Sequence, residues 1–148
     1  MTTAQALLLP VGDDLYALPV DWVREVVAAP TVTRLVTAPS IVLGLFNLRG
    51  HIVALLDTAA LLGIGRIATT AYAVVVNCPQ GPAGLATTGF PVRGVLDMPV
   101  GESELPGTGG IYQMDERVAV SLDPASLLTP ERVGGSEFRN DLAPISVG

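Results

Sequence analysis

The amino-acid sequence predicts a mainly β fold built from two small, related units that share an apolar core. Hydrophobic residues make up 49% of the 148 residues, whereas aromatic residues make up only 5%. The core must therefore be packed from aliphatic side chains on many short elements. The apolar runs are short and are separated by glycine, proline and aspartate, which is typical of strands joined by turns. One stretch of the sequence also occurs twice.

The repeated stretch is HIVALLDTAALL at 51–62, which returns as RVAVSLDPASLL at 117–128. Both copies have a polar first residue, an apolar run, Leu-Asp and a short segment rich in Ala and Leu. A weaker similarity relates 15–27 to 84–96 through VREVV and VRGVL. Units of about 60 to 70 residues are marginally stable alone. We therefore expect the two units to pack against each other and to leave a groove at their junction.

The N-terminal region is predicted to begin with a β-hairpin. Residues 6–11 and 15–18 are apolar, and the Gly-Asp-Asp sequence at 12–14 between them is typical of a turn. The next segment, 19–27, has valines at helical spacing but is rich in β-branched residues. It is predicted to be a short helical turn that leads into a strand.

The repeated stretch is predicted to be a strand followed by a capped helix. Residues 52–56 are almost wholly apolar, which predicts a strand that is buried on both faces. Asp57 is the expected N-cap of a short helix over TAALL, and Gly63 would end that helix in the left-handed conformation. In the second copy, Pro124 takes the first helical position, where its missing N–H costs little.

Two regions are predicted to lack regular structure. Residues 101–110 combine glycines, a proline and two acids, so they are expected to form a loop. The polar sequence at 129–148 is expected to be a loosely ordered C-terminal tail, from which Phe138 and Leu142 could dock. The domain is therefore expected to span residues 1–128 as two intertwined subdomains.

Charge and cysteine content argue against several classes of protein. A net charge of −6 and a pI near 4.5 oppose binding to nucleic acid or to anionic lipid. The single cysteine, Cys78, has no partner for an internal disulfide and is expected to be a small buried hydrophobe. The start, MTTAQALLLPVGDD, lacks the features of a secretory signal. The uncharged stretch 67–92 is interrupted by glycines and prolines, so strand, turn and strand are expected there instead of a membrane span. These features favour a cytoplasmic protein.

The sequence offers little for catalysis or for metal binding. One histidine, His51, and one cysteine cannot form a His-rich or Cys-rich metal site. The serines lie in no nucleophile-elbow pattern. Residues 63–68 match the dinucleotide-binding pattern GxGxxA, but a helix is predicted before them and a strand after them, which is the wrong order. We expect no enzymatic activity, no cofactor and no metal site.

Arg49 is the polar residue that most needs an explanation. It lies just before the strand predicted to be buried on both faces, and an unpaired buried guanidinium is very costly. The nearest acidic candidate is Glu25, and a Glu25–Arg49 pair would hold the VREVV segment against that strand. Asn47 can close a turn here, and Gly50 permits close backbone approach or a positive φ. The pair could be architectural, or a partner could use its exposed edge.

The V-x-E-V segment, the V-x-G turn leading into NLRG, and the strand ending in Asp57 occur in the order found in the CheW family. The sequence resembles that family over residues 6–128. The resemblance implies two SH3-like, five-stranded β-barrel subdomains in a pseudo-twofold arrangement with short helices. It also implies a non-catalytic, cytoplasmic adaptor, recruited to membrane receptor arrays, that couples methyl-accepting chemoreceptors to a CheA-type histidine kinase in chemotaxis.

The resemblance also implies where the receptor binds. The receptor tip, a helical hairpin, would lie in the groove between the subdomains, and the kinase would bind through its own similar domain. Transferred by motif position, the residues expected on the receptor side are Val23, Glu25, Val26, Gly44, Asn47, Leu48, Arg49 and Gly50.

The sequence departs from the family pattern at several positions. Ala54 and Thr58-Ala59 replace the usual residues around the strand end, and Thr87-Thr88 stands where a carboxylate is usual. An adaptor in a pilus-type or other non-flagellar array therefore stays open as an alternative. So does a β-barrel peptide-binding module of an unrelated pathway, which a wide separation of Glu25 and Arg49 would favour. An enzyme would need convergent polar groups in its largest pocket.

Overall fold

The computed structural model describes residues 3–130. This part of the chain folds into two β-sheets with one 3₁₀ turn and two single-turn α-helices, which confirms the mainly β prediction. The elements in chain order are β1 (Ala4–Val11), β2 (Asp14–Pro19), a 3₁₀ turn (Val20–Trp22), β3 (Val23–Ala28), β4 (Val42–Leu48), β5 (His51–Leu56), α1 (Thr58–Leu61), β6 (Tyr72–Cys78), β7 (Gly81–Thr87), β8 (Val92–Leu96), β9 (Gly101–Glu102), β10 (Thr108–Met114), β11 (Arg117–Leu122) and α2 (Pro124–Leu127).

Each sheet contains strands from both halves of the chain. Sheet A has the order β8-β1-β2-β11-β10-β9, and sheet B has the order β3-β6-β7-β5-β4. The first hairpin, β1–β2, thus lies among strands of the second half, and the hairpin β6–β7 lies among strands of the first half. In each sheet the second strand of the hairpin runs parallel to the strand of the repeated stretch. The two sheets therefore connect their strands in the same order. Each sheet contains the hairpin that begins the other unit, so the hairpins are exchanged between the two units.

The residue pairing shows that 51–62 and 117–128 are structural equivalents. Ala54 pairs with Ala83 in sheet B, and Val120, at the same place in the repeat, pairs with Tyr16 in sheet A. The strands before the repeats, β4 and β10, both contain a bulge near their start. The predicted duplication is therefore present in the backbone as well as in the sequence.

The weaker similarity relates VREVV to VRGVL, but the structure aligns these two segments in a different register. Glu25 pairs with Val75 and Val92 pairs with Leu8. Val75 and Leu8 are equivalent, because each lies three positions before the last residue of its strand, Cys78 or Val11. Glu25 is therefore equivalent to Val92, and the two strands match in a register two residues away from the sequence match.

Sheet A must be strongly curled. Its two edge strands, β8 and β9, are joined by only the four residues 97–100. The five steps from Leu96 to Gly101 span at most about 17 Å, whereas the five strand spacings of a flat six-stranded sheet cover about 24 Å. In sheet B, an isolated bridge between Thr33 and Leu45 similarly draws the segment after β3 towards β4 at the opposite edge.

One main core contains residues from both sheets. Leu9 and Leu18 of sheet A and Leu55 and Leu85 of sheet B are at most 1% exposed and belong to the same cluster. Burying each such leucine contributes about 1.5–3 kcal/mol. A smaller cluster, which includes Leu8 and other residues of sheet A, lies apart from the main one. The shared core holds the exchanged hairpins in place.

Both predicted helix starts are present, but their caps differ. The fully buried Asp57 side chain accepts hydrogen bonds from the backbone N–H of Ala60, at 3.0 Å, and of Ile67, at 3.1 Å. Gly63 follows α1 with a φ of 72°, as predicted. Pro124 occupies the start of α2, where the exposed Asp123 carboxylate instead accepts from the hydroxyl of Ser126.

Two details of the sequence-based prediction were wrong. Residues 101–110 are not a continuous loop, because β9 lies at their start and β10 begins at Thr108. These two strands pair with each other, and the pairing satisfies backbone groups that a loop would expose to water. The strand β5 is not buried along its whole length, because Ile52 is exposed.

Two regions bear on the remaining predictions. The predicted strand, turn and strand in the stretch 67–92 are present as β6 and β7. Within residues 3–130, no helix has the length and apolar character needed to cross a membrane. Almost all of the expected tail, including Phe138 and Leu142, lies outside the described residues.

Candidate functional site

The sequence NLRG forms a two-residue β-turn between β4 and β5. Leu48 pairs with His51 across the hairpin, which leaves Arg49 and Gly50 as the turn residues. Both have positive φ, 50° and 88°, as a type I′ turn requires. The Oδ1 atom of Asn47 accepts a hydrogen bond from the N–H of Gly50 at 2.8 Å. Asn47 therefore closes the turn, as its sequence position predicted.

The turn directs Arg49 at Glu25 on the edge strand β3. The Nη2 atom of Arg49 and the Oε2 atom of Glu25 form an ion pair. The Arg49 side chain is 69% exposed and that of Glu25 is 22% exposed. The predicted Glu25–Arg49 pair is therefore present, and its basic partner faces solvent. A wide separation of Glu25 and Arg49 would have favoured a β-barrel module of an unrelated pathway, and the two residues are instead in contact.

The ion pair contributes little to stability. Exposed pairs of this kind are worth about 0–1 kcal/mol. Arginine in the left-handed region costs about 1–2 kcal/mol relative to a relaxed conformation, a cost that glycine avoids. The fold alone thus gives little reason for Arg49 to occupy this turn, so its side chain is better explained by contact with another molecule.

The eight residues expected on the receptor side fall into two groups. Val26, Asn47, Arg49 and Gly50 are exposed, and Glu25 is half-buried. Gly44 and Leu48 are buried, and Val23 is partly buried. The structure therefore brings Glu25 together with the NLRG turn, whereas the side chain of Val26 lies on the opposite face of β3 from that of Glu25.

The structural group lies in or against the core. Leu48 is buried in the main cluster and Val23 packs against it. Gly44 is buried beside the 32–33 segment, where an added Cβ would lie 2.5 Å from the carbonyl oxygen of Thr33. These residues set the backbone that carries Glu25 and Arg49.

Ile52 is an exposed residue of this region that the sequence analysis missed. It pairs across the hairpin with the exposed Asn47. The apolar run from 52 to 56 gave no sign of its exposure, because a wholly apolar strand predicts burial on both faces. The signal that could have found it is its nearness to the hairpin turn, since residues beside a turn are often solvent-accessible.

A cleft of about 640 Å³ lies between the β1–β2 turn of sheet A and the segment that follows α1 of sheet B. A groove between the units was predicted, but none of the eight expected receptor-side residues lines this cleft. The polar side chains on its walls include Asp14 and Arg66, and each has a partner: Asp14 accepts from the Tyr16 hydroxyl at 3.4 Å, and Arg66 donates to the carbonyl of Ser40 at 3.2 Å.

Thr88, one of the departures from the family pattern, fastens the two sheets together beside this cleft. Its hydroxyl accepts from the N–H of Gly12 at 2.9 Å, and its own N–H donates to the carbonyl of Pro10 at 2.9 Å. Its neighbour Thr87 is fully buried and donates to the carbonyl of Gly89 at 2.8 Å. Hydroxyl groups at these two positions therefore serve the internal structure.

The remaining candidates for chemistry are scattered. Burial raises the pKa of the half-buried Cys78 thiol to about 11, so the thiol stays protonated at neutral pH. Exposed His51 lies beside the NLRG turn. No group of three or more His, Cys, Asp or Glu in residues 3–130 is placed to hold a metal ion. Residues 63–68 follow α1 and lead to β6, so the dinucleotide pattern lacks the strand-then-helix setting it requires.

Comparison with known proteins identifies a family and a solved structure of similar fold. The family model described as "CheW-like domain" matches residues 5–132. The crystal structure of the scaffolding protein TtCheW from Thermoanaerobacter tengcongensis is similar at a TM-score of 0.67 and 21% sequence identity, over 82% of this chain and 89% of that chain. No curated protein matches the chain. At this identity the structural match shows a shared fold.

Proposed function

Because this chain belongs to the family of CheW-like domains, we propose that it is a non-catalytic adaptor in chemotaxis signalling. In this role it couples the cytoplasmic tips of methyl-accepting chemoreceptors to a CheA-type histidine kinase. It works in the cytoplasm and is recruited to receptor arrays at the membrane. Residues 1–128 form the coupling domain, and each curled sheet with its helix corresponds to an SH3-like barrel.

The observation that carries this proposal is the Arg49–Glu25 pair on the NLRG turn. The pair joins a motif turn to the edge strand β3, yet most of the Arg49 side chain is exposed. A surface ion pair that adds little stability and that occupies a costly backbone conformation is better explained by recognition than by folding. The exposed faces of Arg49 and Asn47 would contact the receptor.

The chemistry of this surface suits a helical partner. Arg49 supplies a planar charged group that can bind a carboxylate bidentately. Ile52, which pairs across the hairpin with Asn47, supplies an exposed apolar contact beside the turn. A helical hairpin presenting an acidic residue beside apolar side chains would match this combination.

The test is a pull-down of purified receptor cytoplasmic fragment and CheA-type kinase from the same host, with this protein as bait. We expect Arg49→Ala to weaken the ternary complex about tenfold, the loss of one charged contact of about 1.4 kcal/mol. The matched control is Asp115→Ala, in the equivalent turn of sheet A, which should leave the complex intact. A folded Arg49→Ala protein that assembles as well as the wild type would contradict the proposed surface.

A charge exchange separates contact from architecture. The double variant Glu25→Arg with Arg49→Glu keeps an ion pair between β3 and the turn but reverses its direction. If Arg49 contacts the receptor, the double variant stays as weak as Arg49→Ala. Full recovery of the complex would show that the pair acts only by holding β3 in place.

A further inference from the structure

The edge strand β8 of sheet A carries a run of exposed apolar side chains. Phe90, Val92, Val95, Met98 and Val100 lie on this strand or beside it, and each is between 47% and 68% exposed. Within residues 3–130, β8 pairs only with β1. A free strand edge with exposed apolar side chains is a site where another chain can pair.

The sequence of this region is complementary to itself when it is reversed about Val95. At two positions on either side stand Arg93 and Asp97, which carry opposite charges. At three positions stand Val92 and Met98, both apolar. Prolines follow symmetrically at 91 and 99, where a missing N–H would end a β ladder on both sides. The two ends of the segment between the prolines are therefore opposite in charge at one position and both apolar at the next.

We propose that β8 pairs with β8 of a second copy of this chain, antiparallel and about a twofold axis that passes through Val95. In this arrangement Arg93 of each copy lies opposite Asp97 of the other, and the two Val95 side chains meet at the centre. Side chains directly opposite in an antiparallel pair have Cβ atoms about 4.5–5.5 Å apart. Two intermolecular ion pairs thus flank an apolar contact on one face of the joined sheets.

The local structure leaves both charged groups available. Arg93 is exposed, and the only hydrogen bond of its side chain within residues 3–130 is a 3.3 Å contact to the side chain of Gln5. Asp97 is exposed and its side chain makes no hydrogen bond or ion pair in the same part of the chain. On the opposite face of β8, Leu96 is buried. Arg93 and Val95 therefore share the outward face, because side chains alternate along a strand. Asp97 is the first residue after β8 and would take the same face if the intermolecular pairing extends the strand by one residue.

The self-complementary charges favour a second copy over an unrelated peptide. An isologous contact requires that residue i meets residue j and that j meets i. A strand with one charge would lack this attraction, and a strand with like charges at both ends would repel its own copy. The order Arg93, Val95, Asp97 meets this condition, because Arg93 of each copy would lie opposite Asp97 of the other.

The test uses the purified full chain alone, so its outcome is independent of receptor and kinase binding. The dissociation constant of the dimer is measured by sedimentation velocity over a range of protein concentrations. Arg93→Asp and Asp97→Arg should each raise that constant about tenfold or more, because like charges then lie opposite one another at two places. An equimolar mixture of the two variants should dimerise like the wild type, since a mixed pair restores both attractions.

Matched controls carry the same charge changes on exposed residues away from β8. Arg34→Asp and Asp21→Arg should dimerise like the wild type, alone and mixed. Circular dichroism and thermal unfolding establish that each variant is folded. A wild-type protein that stays monomeric at every concentration overturns the proposal. So does a dimer that neither single variant weakens, or one that the mixture fails to restore.

A second measurement tests the position of the axis. In a Cys78→Ala background, Val95→Cys should give a disulfide-linked dimer on treatment with diamide, because residue 95 faces itself across the axis. Val26→Cys, on the edge strand of sheet B, is the matched control and should give little product. Equal cross-linking of the two variants would contradict the proposed pairing.

Discussion

The hairpin turn of sheet B and its equivalent in sheet A occupy the same place in the duplicated fold, but they differ in the backbone of the second turn residue and in their surfaces. In sheet B, Asn47 precedes the turn residues Arg49 and Gly50; in sheet A, Gln113 precedes Asp115 and Glu116. The first turn residue has a φ of 50° in one turn and 54° in the other. Each turn lies between a bulged strand and the strand of the repeated stretch. The φ of the first turn residue is thus retained, whereas the second turn residue differs, because Gly50 has a positive φ and Glu116 does not.

The side chains of the two turns, by contrast, make unlike contacts. Asn47 accepts a hydrogen bond from the N–H of Gly50, whereas Gln113 donates to the carbonyls of Asp115 and Arg117. Aspartate tolerates the left-handed region better than arginine does. The geometry of the turn therefore accounts for Asp115 but not for Arg49. In the proposed function, recognition belongs to one of two equivalent turns, while both copies preserve the hairpin.

The largest difference in stability between the two halves is expected at the helix caps. Asp57→Ala should lower the free energy of unfolding by about 2–4 kcal/mol, because it removes a cap and leaves the buried N–H of Ile67 without a partner. Asp123→Ala should cost about 0.5 kcal/mol or less, because Asp123 is exposed and caps no backbone N–H. Urea denaturation of both variants measures the two values. Equal costs would show that the buried cap does not distinguish the halves.

An intermediate difference is expected at the strand bulges. Gly44→Ala should cost about 1–3 kcal/mol, because its Cβ would meet the backbone oxygen of Thr33. Gly110 occupies the equivalent place in β10, and there an added Cβ would lie 3.0 Å from side-chain atoms of Pro99 and Tyr112, which can shift. Gly110→Ala should therefore cost about 1 kcal/mol or less. The same denaturation measurement tests the ranking, and a greater loss for Gly110→Ala would reverse it.

The smallest difference is expected at the turns themselves. Arg49→Ala and Asp115→Ala should each change the free energy of unfolding by less than about 0.5 kcal/mol, because both side chains are exposed. Only Arg49→Ala should affect the ternary complex. A cost of about 1 kcal/mol or more for Arg49→Ala alone would mean that the ion pair holds β3 to the hairpin. Arg49 would then differ from Asp115 in its contribution to stability.

Local features of the fold could be read from the sequence. The cap at Asp57, the proline that opens α2 and the positive φ of Gly50 each depend on residues a few positions apart. These local inferences succeeded because local chemistry restricts the backbone strongly. The Glu25–Arg49 pair joins residues 24 positions apart and was also predicted, although the strand start beside Arg49 is exposed and not buried as that prediction assumed.

Non-local features could not be read in the same way. No residue of β1 or β2 indicates that this hairpin joins strands from the far half of the chain, since apolar strands of similar pattern can pair with either half. The exposure of Ile52 and the burial of Leu48 depend on which neighbours cover them. Which of the eight expected receptor-side residues would be accessible therefore could not be predicted from the motif.

The exchange of hairpins also constrains how the chain folds and how it arose. A single unit cannot complete its own sheet, so an ancestral protein with one copy would have been stable as an interlocked homodimer, and gene fusion would then have placed both copies in one chain. In the present protein, all strands of sheet B lie within residues 23–87, whereas sheet A cannot form until β11 has been synthesised and has joined the N-terminal hairpin. Its folding must therefore bring together distant segments, which makes it slow.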